Sequence, residues 1–387
     1  MTSVVSDPKE VPAPKGLPSR AEQVRRLETQ VQVQVEHGDG SGNGDDNDGN
    51  DDSNKENAFD LLVIGGGATG AGVALDAATR GLNVACIERG DFASETSSRS
   101  TKLIWAGIKY MATATSILLS TKLLTEPVTT VKGFVEEMTM VFSCHQERRY
   151  MMQKQEHLCN WIPIAIPFDK WHISPPPFGH WLYGFFPVLA PFVLKFYDSL
   201  SFFQCPPSYI MTSNKAKESF PQLDDKNIKY CAVFYEAQHN DARTNVAIAL
   251  SAAEHGATIA NYVEMTKAIS DPSTGKVIGV EALDRMTGRT LVIKAKRVVF
   301  AGGPFTDALR EMEVYGTDKQ MQPAVRGAHG THIVLPSYYC SHEVSSRVVA
   351  ESTGRSWNAY HSSSERWSYK RTILLLLADG SFGLQHQ

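Results

Sequence analysis

The sequence predicts an α/β protein, and three observations predict it. A short apolar run, Phe59 to Ile64, opens directly into a glycine-spaced turn and then a helical pattern. A second apolar run, Asn83 to Glu88, ends on an acidic residue. A third, Arg297 to Ala301, stops at Gly302-Gly303-Pro304 after a stretch of turn-divided strand patterns.

With 387 residues, 42% of them hydrophobic, the chain is long enough for about two domains, each with a buried core. A net charge of −4 gives no basic field for phosphate backbones, so nucleic acid is not expected as a partner. The six cysteines are scattered without metal-ligand spacing, so no metal site is expected, and they read as reduced thiols. Asp7 and Glu10 stand near the start, which has neither the apolar core of a signal peptide nor the acid-poor face of a transit peptide. Residues His37 to Asn57 are almost wholly Gly, Asn, Asp and Ser, a composition that cannot bury enough apolar surface to offset backbone ordering. This stretch reads as a solvated acidic linker. A calcium loop in it would place Lys55 where a carboxylate is required.

Beyond the linker, Phe59–Ile64, the helix through Ala71, Ala74, Leu75 and Ala78, and Asn83–Glu88 make a β-α-β unit. Gly65, Gly67 and Gly70 stand in GxGxxG spacing at its first turn. The first glycine permits the tight turn, the second lets a diphosphate approach backbone amides at the positive helix end, and the third allows close helix–strand packing. Glu88 is then placed to accept hydrogen bonds from a ribose. A bare GxGxxG also occurs in turns that bind nothing, but here strand, helix and terminal acid agree. The prediction is a Rossmann-like dinucleotide fold, and the fingerprint alone leaves FAD and NAD open. The later strands returning to Arg297–Ala301 favour FAD.

Trp181 to Leu194 is the most apolar stretch, yet it falls short of a membrane span and is interrupted by Pro187 and Pro191. Core packing and partial insertion into one leaflet both remain open for it. Asp241 caps a predicted helix from Ala242 to His255, stopped by Gly256. Strands at Thr258–Ala268, Lys276–Asp284 and Thr290–Lys294 follow as an antiparallel meander.

The run FDLLVIGGGATGAGVALDAATRGLNVACIERGDFASETSSRSTKLIWAGIKYM, with HQERRYMMQKQEHL, FYEAQHNDARTNVAIALSAAEHGATIANYVE, VVFAGGPFTDALR and GTHIVLP, closely resembles FAD-dependent glycerol-3-phosphate dehydrogenases. These are membrane-associated, quinone-reducing enzymes of mitochondria and bacteria. The resemblance covers Phe59 to Pro336, and Pro18-Ser19-Arg20 looks like the lead-in of the mitochondrial members. It implies an α/β fold with an α+β substrate part: a Rossmann-like FAD-binding domain of the D-amino-acid-oxidase-like superfamily with an inserted substrate domain, here truncated. The expected division is a segment 1–58, an oxidoreductase part 59–336 and a tail 337–387. Within the middle part, 59–110 and 241–305 would bind FAD, while 111–240 and 306–336 would face substrate and membrane.

The resemblance also implies the chemistry. The cofactor is FAD, the substrate glycerol 3-phosphate and the acceptor quinone, with peripheral contact at the mitochondrial inner membrane; it assigns no oligomeric state. Gly65, Gly67, Thr69, Gly70, Glu88, Val263, Gly302 and Gly303 fall on the dinucleotide site. Ser98, Ser100, Thr101 and Lys102 match the loop that wraps the pyrophosphate and ribityl chain, and Trp105 and Gly107 lie beside the isoalloxazine. Without the resemblance, that loop reads more readily as a solvated Ser/Thr turn than as a phosphate-binding loop. Lys109 and Tyr110 match the substrate-contacting Arg-Tyr pair; lysine keeps the charge but loses the bidentate fork. His332 matches a position near the flavin and is a candidate acid/base group, although a lone His is more often structural. Asp241 and Arg243 rank below these. Ser94-Glu95-Thr96 and Trp105-Ala106-Gly107 depart from the Ser-Gly-Thr and His-Gly-Gly of most relatives, and Glu95 would oppose a pyrophosphate unless it points outward. After Pro336 the chain matches nothing in the family. The expectation is a truncated member with weak flavin retention. Two alternatives are another flavin oxidase of the superfamily and a non-catalytic binder of the ADP portion of FAD.

Overall fold

The computed structural model describes residues 16–29, 58–105, 107–118, 120, 122–172, 185–219, 228–314, 321–326, 332–336, 347–352, 355–361 and 372–377. In chain order the elements begin with α1 (Arg20–Thr29), β1 (Leu61–Ile64), α2 (Ala68–Thr79) and β2 (Val84–Ile87). Then come β3 (Leu103–Ile104), α3 (Ile108–Leu118), α4 (Lys122–Thr125), α5 (Pro127–Lys154), β4 (Cys159–Phe168), α6 (Phe186–Leu200), β5 (Tyr209–Thr212), α7 (Ser213–Ser219) and β6 (Tyr230–His239). The chain continues with α8 (Asp241–Glu254), β7 (Thr258–Ala260), β8 (Val263–Ser270), β9 (Val277–Asp284), β10 (Arg289–Lys294), β11 (Val298–Phe300) and α9 (Thr306–Val314). It ends with β12 (His332–Pro336), β13 (Arg347–Ser352), β14 (Arg355–His361) and β15 (Thr372–Leu377). Two compact units result, one holding Met1–Arg99 and Asp241–Gly327, the other Ser100–Asn240 and Ala328–Gln387.

The first unit is built on a parallel sheet in the order β11-β1-β2-β7. Strands β1 and β2 are apolar and almost wholly buried, as expected where helices cover a parallel sheet. On one face α2 and α8 meet through alanines, among them Ala71, Ala74, Ala78, Ala249 and Ala252, whose small side chains let the helices sit close. On the other, Phe59, Leu62 and Ile64 pack with Met265, Val280, Leu291 and Ile293 of the antiparallel β10-β9-β8 sheet. Helix α1 closes this core with Val24 and Leu27. Burying such a side chain contributes about 1.5–3 kcal/mol.

One expected strand divides. Thr258–Ala268 reads as a single strand in sequence, but β7 joins the parallel sheet beside β2, and the meander begins only at Val263. Between them the chain bends at Tyr262, whose φ of 54° is unusual for a non-glycine residue.

In the second unit β4 and β6 form a ten-residue antiparallel pair running from Cys159↔His239 to Phe168↔Tyr230. They sit in an eight-stranded sheet ordered β12-β15-β14-β13-β4-β6-β3, with β5 also on β6. Prolines do not interrupt α6, contrary to the sequence expectation. Pro187 lies in the first turn, where no amide bond is lost. Pro191 lacks the amide that would reach the carbonyl of Pro187, and the Tyr230 hydroxyl donates to that carbonyl instead. Pro187, Ala190, Leu194 and Tyr197 of α6 are buried, whereas Phe192 and Phe196 remain exposed. Among the described residues no helix is long and apolar enough to cross a membrane.

Candidate dinucleotide site

The chain leaves β1 through Gly65 and enters α2 at Gly67, so the glycine turn sits at a strand-to-helix junction. Gly65 has φ 112°, and a Cβ there would lie 2.5 Å from the carbonyl oxygen of Ala301, just past β11. At Gly70 a Cβ would lie 1.8 Å from the carbonyl oxygen of Gly65. Side chains at these two corners would push the helix start away from the sheet. Beside Gly67 the nearest group is the Ser97 hydroxyl, which a Cβ would meet at 3.1 Å and which accepts the Ala68 amide at 2.9 Å. The start of α2 and the positive end of its dipole thus face a surface with little steric cover beyond the Ser97 hydroxyl that holds the Ala68 amide, a setting suited to a diphosphate.

Glu88 follows β2 directly. Its Oε2 accepts the Gly66 amide at 2.7 Å and its Oε1 accepts the Gly90 amide at 2.8 Å, so both oxygens are held in place. Each still has a second lone pair for a ribose hydroxyl. Buried beneath, Cys86 has its thiol pushed up to about 12 by desolvation and by the charge of Glu88, which excludes a thiolate there.

Gly65, Gly67, Thr69, Glu88, Val263, Gly302 and Gly303 all line one cleft of the first unit. Gly70 lies behind them as the close-packing residue. Ser98 turns its hydroxyl to the carbonyl of Glu95, and its neighbours Thr96 and Ser97 face the cleft. Glu95, which by its charge would oppose a pyrophosphate unless it points outward, is among the residues lining the cleft. Its carboxylate is shared by Arg89 at 3.6 Å and Arg99 at 3.1 Å, which offsets its charge.

Sequence reasoning missed three supports. Arg89 lays its guanidinium over the Phe305 ring, 4.3 Å from the centroid, joining two walls of the cleft. Asn245, buried on α8, donates to the Gly66 carbonyl at 2.9 Å and holds the glycine turn from below. Arg20 acts from α1, donating to the Asn261 carbonyl and to Asp284. A polar residue at a buried helical position was the available signal for Asn245; nothing local marks the other two.

The remaining candidates belong to the second unit. The Ser100 hydroxyl accepts the Lys102 amide at 3.0 Å, and Lys102 has φ 62° beside Thr101. Trp105 packs on Leu103 and Ile162, and Gly107 has φ 88° at the start of α3. Tyr110 on α3 is exposed. Lys109 lies on α3, and His332 opens β12 opposite Leu376; their side chains are outside the described residues, as is the acidic linker.

A parallel sheet that feeds a helix through side-chain-free corners, with an anchored carboxylate at the next strand tip, defines a Rossmann-type dinucleotide-binding protein. The open glycine corner and the two spare carboxylate lone pairs fit the diphosphate and ribose of FAD. The chain belongs to the FAD-dependent oxidoreductase family, whose model matches residues 60–356. That match passes Pro336, where the resemblance read from the sequence stops.

The chain is 40% identical over 302 residues to the mitochondrial glycerol-3-phosphate dehydrogenase of Mus musculus, covering 77% of this chain and 37% of the mouse protein. It is 38% identical over 327 residues to that of Saccharomyces cerevisiae, covering 78% of this chain and 45% of the yeast protein. The chain therefore spans less than half the length of these relatives. Among solved structures, the glycerol-3-phosphate dehydrogenase from Bacillus halodurans complexed with FAD aligns with a TM-score of 0.53 and 26% identity, over 85% of this chain and 50% of that one.

Proposed function

We propose that this chain carries the cofactor-binding and substrate-facing part of a FAD-dependent glycerol-3-phosphate dehydrogenase. It would oxidise sn-glycerol 3-phosphate to dihydroxyacetone phosphate, pass electrons to quinone and work at the mitochondrial inner membrane. The observation that carries this reading is the glycine cradle with Glu88 anchored beside it, in a chain about two-fifths identical to enzymes of that name. When bound, FAD supplies the two-electron acceptor for the hydride from C2 of the substrate. The protein's own tasks are to bind, orient and move a proton.

In this reading Gly65, Gly67, Thr69 and Gly70 receive the diphosphate, and Glu88 takes the adenosine ribose. Val263, Gly302 and Gly303 flank the dinucleotide. Ser98, Ser100, Thr101 and Lys102 serve the pyrophosphate and ribityl chain, and Trp105 and Gly107 the isoalloxazine. Lys109 neutralises the substrate phosphate as a point charge, Tyr110 orients the substrate by its hydroxyl, and His332 takes the proton of the C2 hydroxyl. The exposed Val188, Leu189, Phe192 and Phe196 of α6 support contact with one leaflet.

The test is to purify the chain, measure bound FAD, and follow its anaerobic bleaching by sn-glycerol 3-phosphate, glycerol and amino acids. Bleaching by glycerol 3-phosphate alone supports the proposal. Bleaching only by the other compounds would assign a different flavin oxidase, and failure to hold FAD would remove the cofactor reading. A second reading, a non-catalytic binder of the ADP portion, has one observation in its favour: every residue lining the cleft belongs to the first unit. Bound FAD that no substrate bleaches would select it.

A further inference from the structure

Glu88 can meet a ribose only if the loop after β2 is fixed, and residues 260–263 hold it by four hydrogen bonds, beside the Arg285 guanidinium on the Arg89 carbonyl at 3.3 Å and the Ala93 amide on the Gly66 carbonyl at 3.4 Å. The Glu88 amide donates to the Ala260 carbonyl at 2.9 Å, and the Val263 amide returns to the Glu88 carbonyl at 2.8 Å. The Tyr262 amide reaches the Gly90 carbonyl at 2.8 Å, and Asn261 Nδ2 reaches Asp91 Oδ1 at 2.9 Å. These residues include the bend with φ 54° at Tyr262, a conformation that needs outside support.

The support comes from the other end of the sequence. Arg20 Nε donates to Asn261 Oδ1 at 3.1 Å, and Nη2 donates to the Asn261 carbonyl at 2.9 Å and to Asp284 Oδ1 at 2.8 Å. Asp284 is fully buried and also accepts the Met286 amide at 3.0 Å and the Thr287 hydroxyl at 2.8 Å, so it is an immobile anchor. Val24 and Leu27, in the core, fix the helix that presents Arg20. The guanidinium fork therefore clamps the bend to the β9–β10 turn, with geometry that a lysine cannot reproduce.

We propose that Arg20 is a positioning residue for the adenosine end of the dinucleotide site, acting through Asn261 on the loop that carries Glu88. The inference rests on the reading that Glu88 receives the ribose. It makes α1 a functional part of the cofactor site.

The experiment titrates the full chain and its variants with ADP and with 2′-deoxy-ADP by calorimetry. A ribose hydroxyl held by Glu88 gives the wild type a preference for ADP of roughly tenfold. Arg20→Ala is expected to shrink that preference to about twofold or less, with Arg20→Lys between the two and Arg26→Ala, a half-buried arginine of α1 paired with Glu22, unchanged. If Arg20→Ala weakens both ligands in equal proportion, or neither, the proposal falls, because a purely structural role lowers both alike. Should Arg20→Ala not fold, Asp284→Asn, which keeps shape and removes the charge, is read in the same way. Glu88→Ala separates the two claims: a preference that survives it removes the ribose reading, while a preference lost there but intact in the Arg20 variants removes only this inference.

Discussion

The Cα of Gly70 faces the carbonyl oxygen of Gly65 so closely that a Cβ would lie 1.8 Å from it. The obstacle is backbone, which cannot rotate away. Gly70→Ala is expected to lower stability by about 3 kcal/mol or more and to abolish FAD retention, read by a denaturation midpoint and by flavin content. Gly72, two residues on in the same helix, has open space around its Cα. Gly72→Ala is expected to stabilise by about 0.5–1 kcal/mol and leave FAD bound, because alanine costs less backbone entropy in a helix.

A second prediction concerns the buried cluster of the second unit. The Arg148 guanidinium pairs with the Glu236 carboxylate, donates to the Tyr235 carbonyl at 3.2 Å and to His145 Nδ1 at 3.1 Å, while Tyr197 donates its hydroxyl to Glu236. Neither member of the pair is more than 1% exposed. Arg148→Met leaves a buried carboxylate without its counter-ion and is expected to cost about 3–5 kcal/mol. The double variant Arg148→Met with Glu236→Leu is expected to recover most of that loss in thermal denaturation, since it leaves no buried charge.

The same cluster sets a pH dependence. Burial, and then the charge of Arg148, push His145 down to about 3 from an ordinary value near 6.5, so it is neutral when folded. Arginine only donates, which makes Nδ1 the acceptor. The unfolded chain binds the proton and the folded chain does not, so stability is complete above about pH 6.5 and falls as pH drops toward 3. The expected slope approaches one proton, about 1.4 kcal/mol per pH unit. Denaturation midpoints between pH 7 and pH 5 check it: His145→Gln is expected to flatten this part of the curve.

How much of this was legible depended on range. Gly65, Gly67, Gly70 and Glu88 could be read because each answers a constraint set within one β-α-β unit, and the cleft contains or packs on all four. The division of Thr258–Ala268 could not, because both halves read as strand in sequence and only the pairing partners, β2 and β9, separate them. Arg20 with Asn261 and Arg89 with Phe305 are contacts between segments far apart in sequence, which no local pattern marks. The continuity of α6 through Pro191 depended on Tyr230, a distant donor.

Glu95 yields the last prediction. It lines the cleft that would take the diphosphate, and it occupies the two guanidiniums closest to it, Arg89 and Arg99. The carboxylate and Arg89 are each 43% exposed, so each ion pair contributes only about 0–1 kcal/mol to stability, and losing them costs the fold little. The effect on an anionic ligand is larger, because one negative charge leaves the cleft lining and Arg89, which also lines it, loses its counter-charge. Glu95→Gly is therefore expected to tighten ADP binding by roughly three- to tenfold at low salt, with the gain shrinking as ionic strength rises and the Debye length shortens. Titration with ADP at low and at high salt reads this directly. Equal affinities for variant and wild type at low salt would mean that the paired carboxylate is already electrically silent toward the diphosphate.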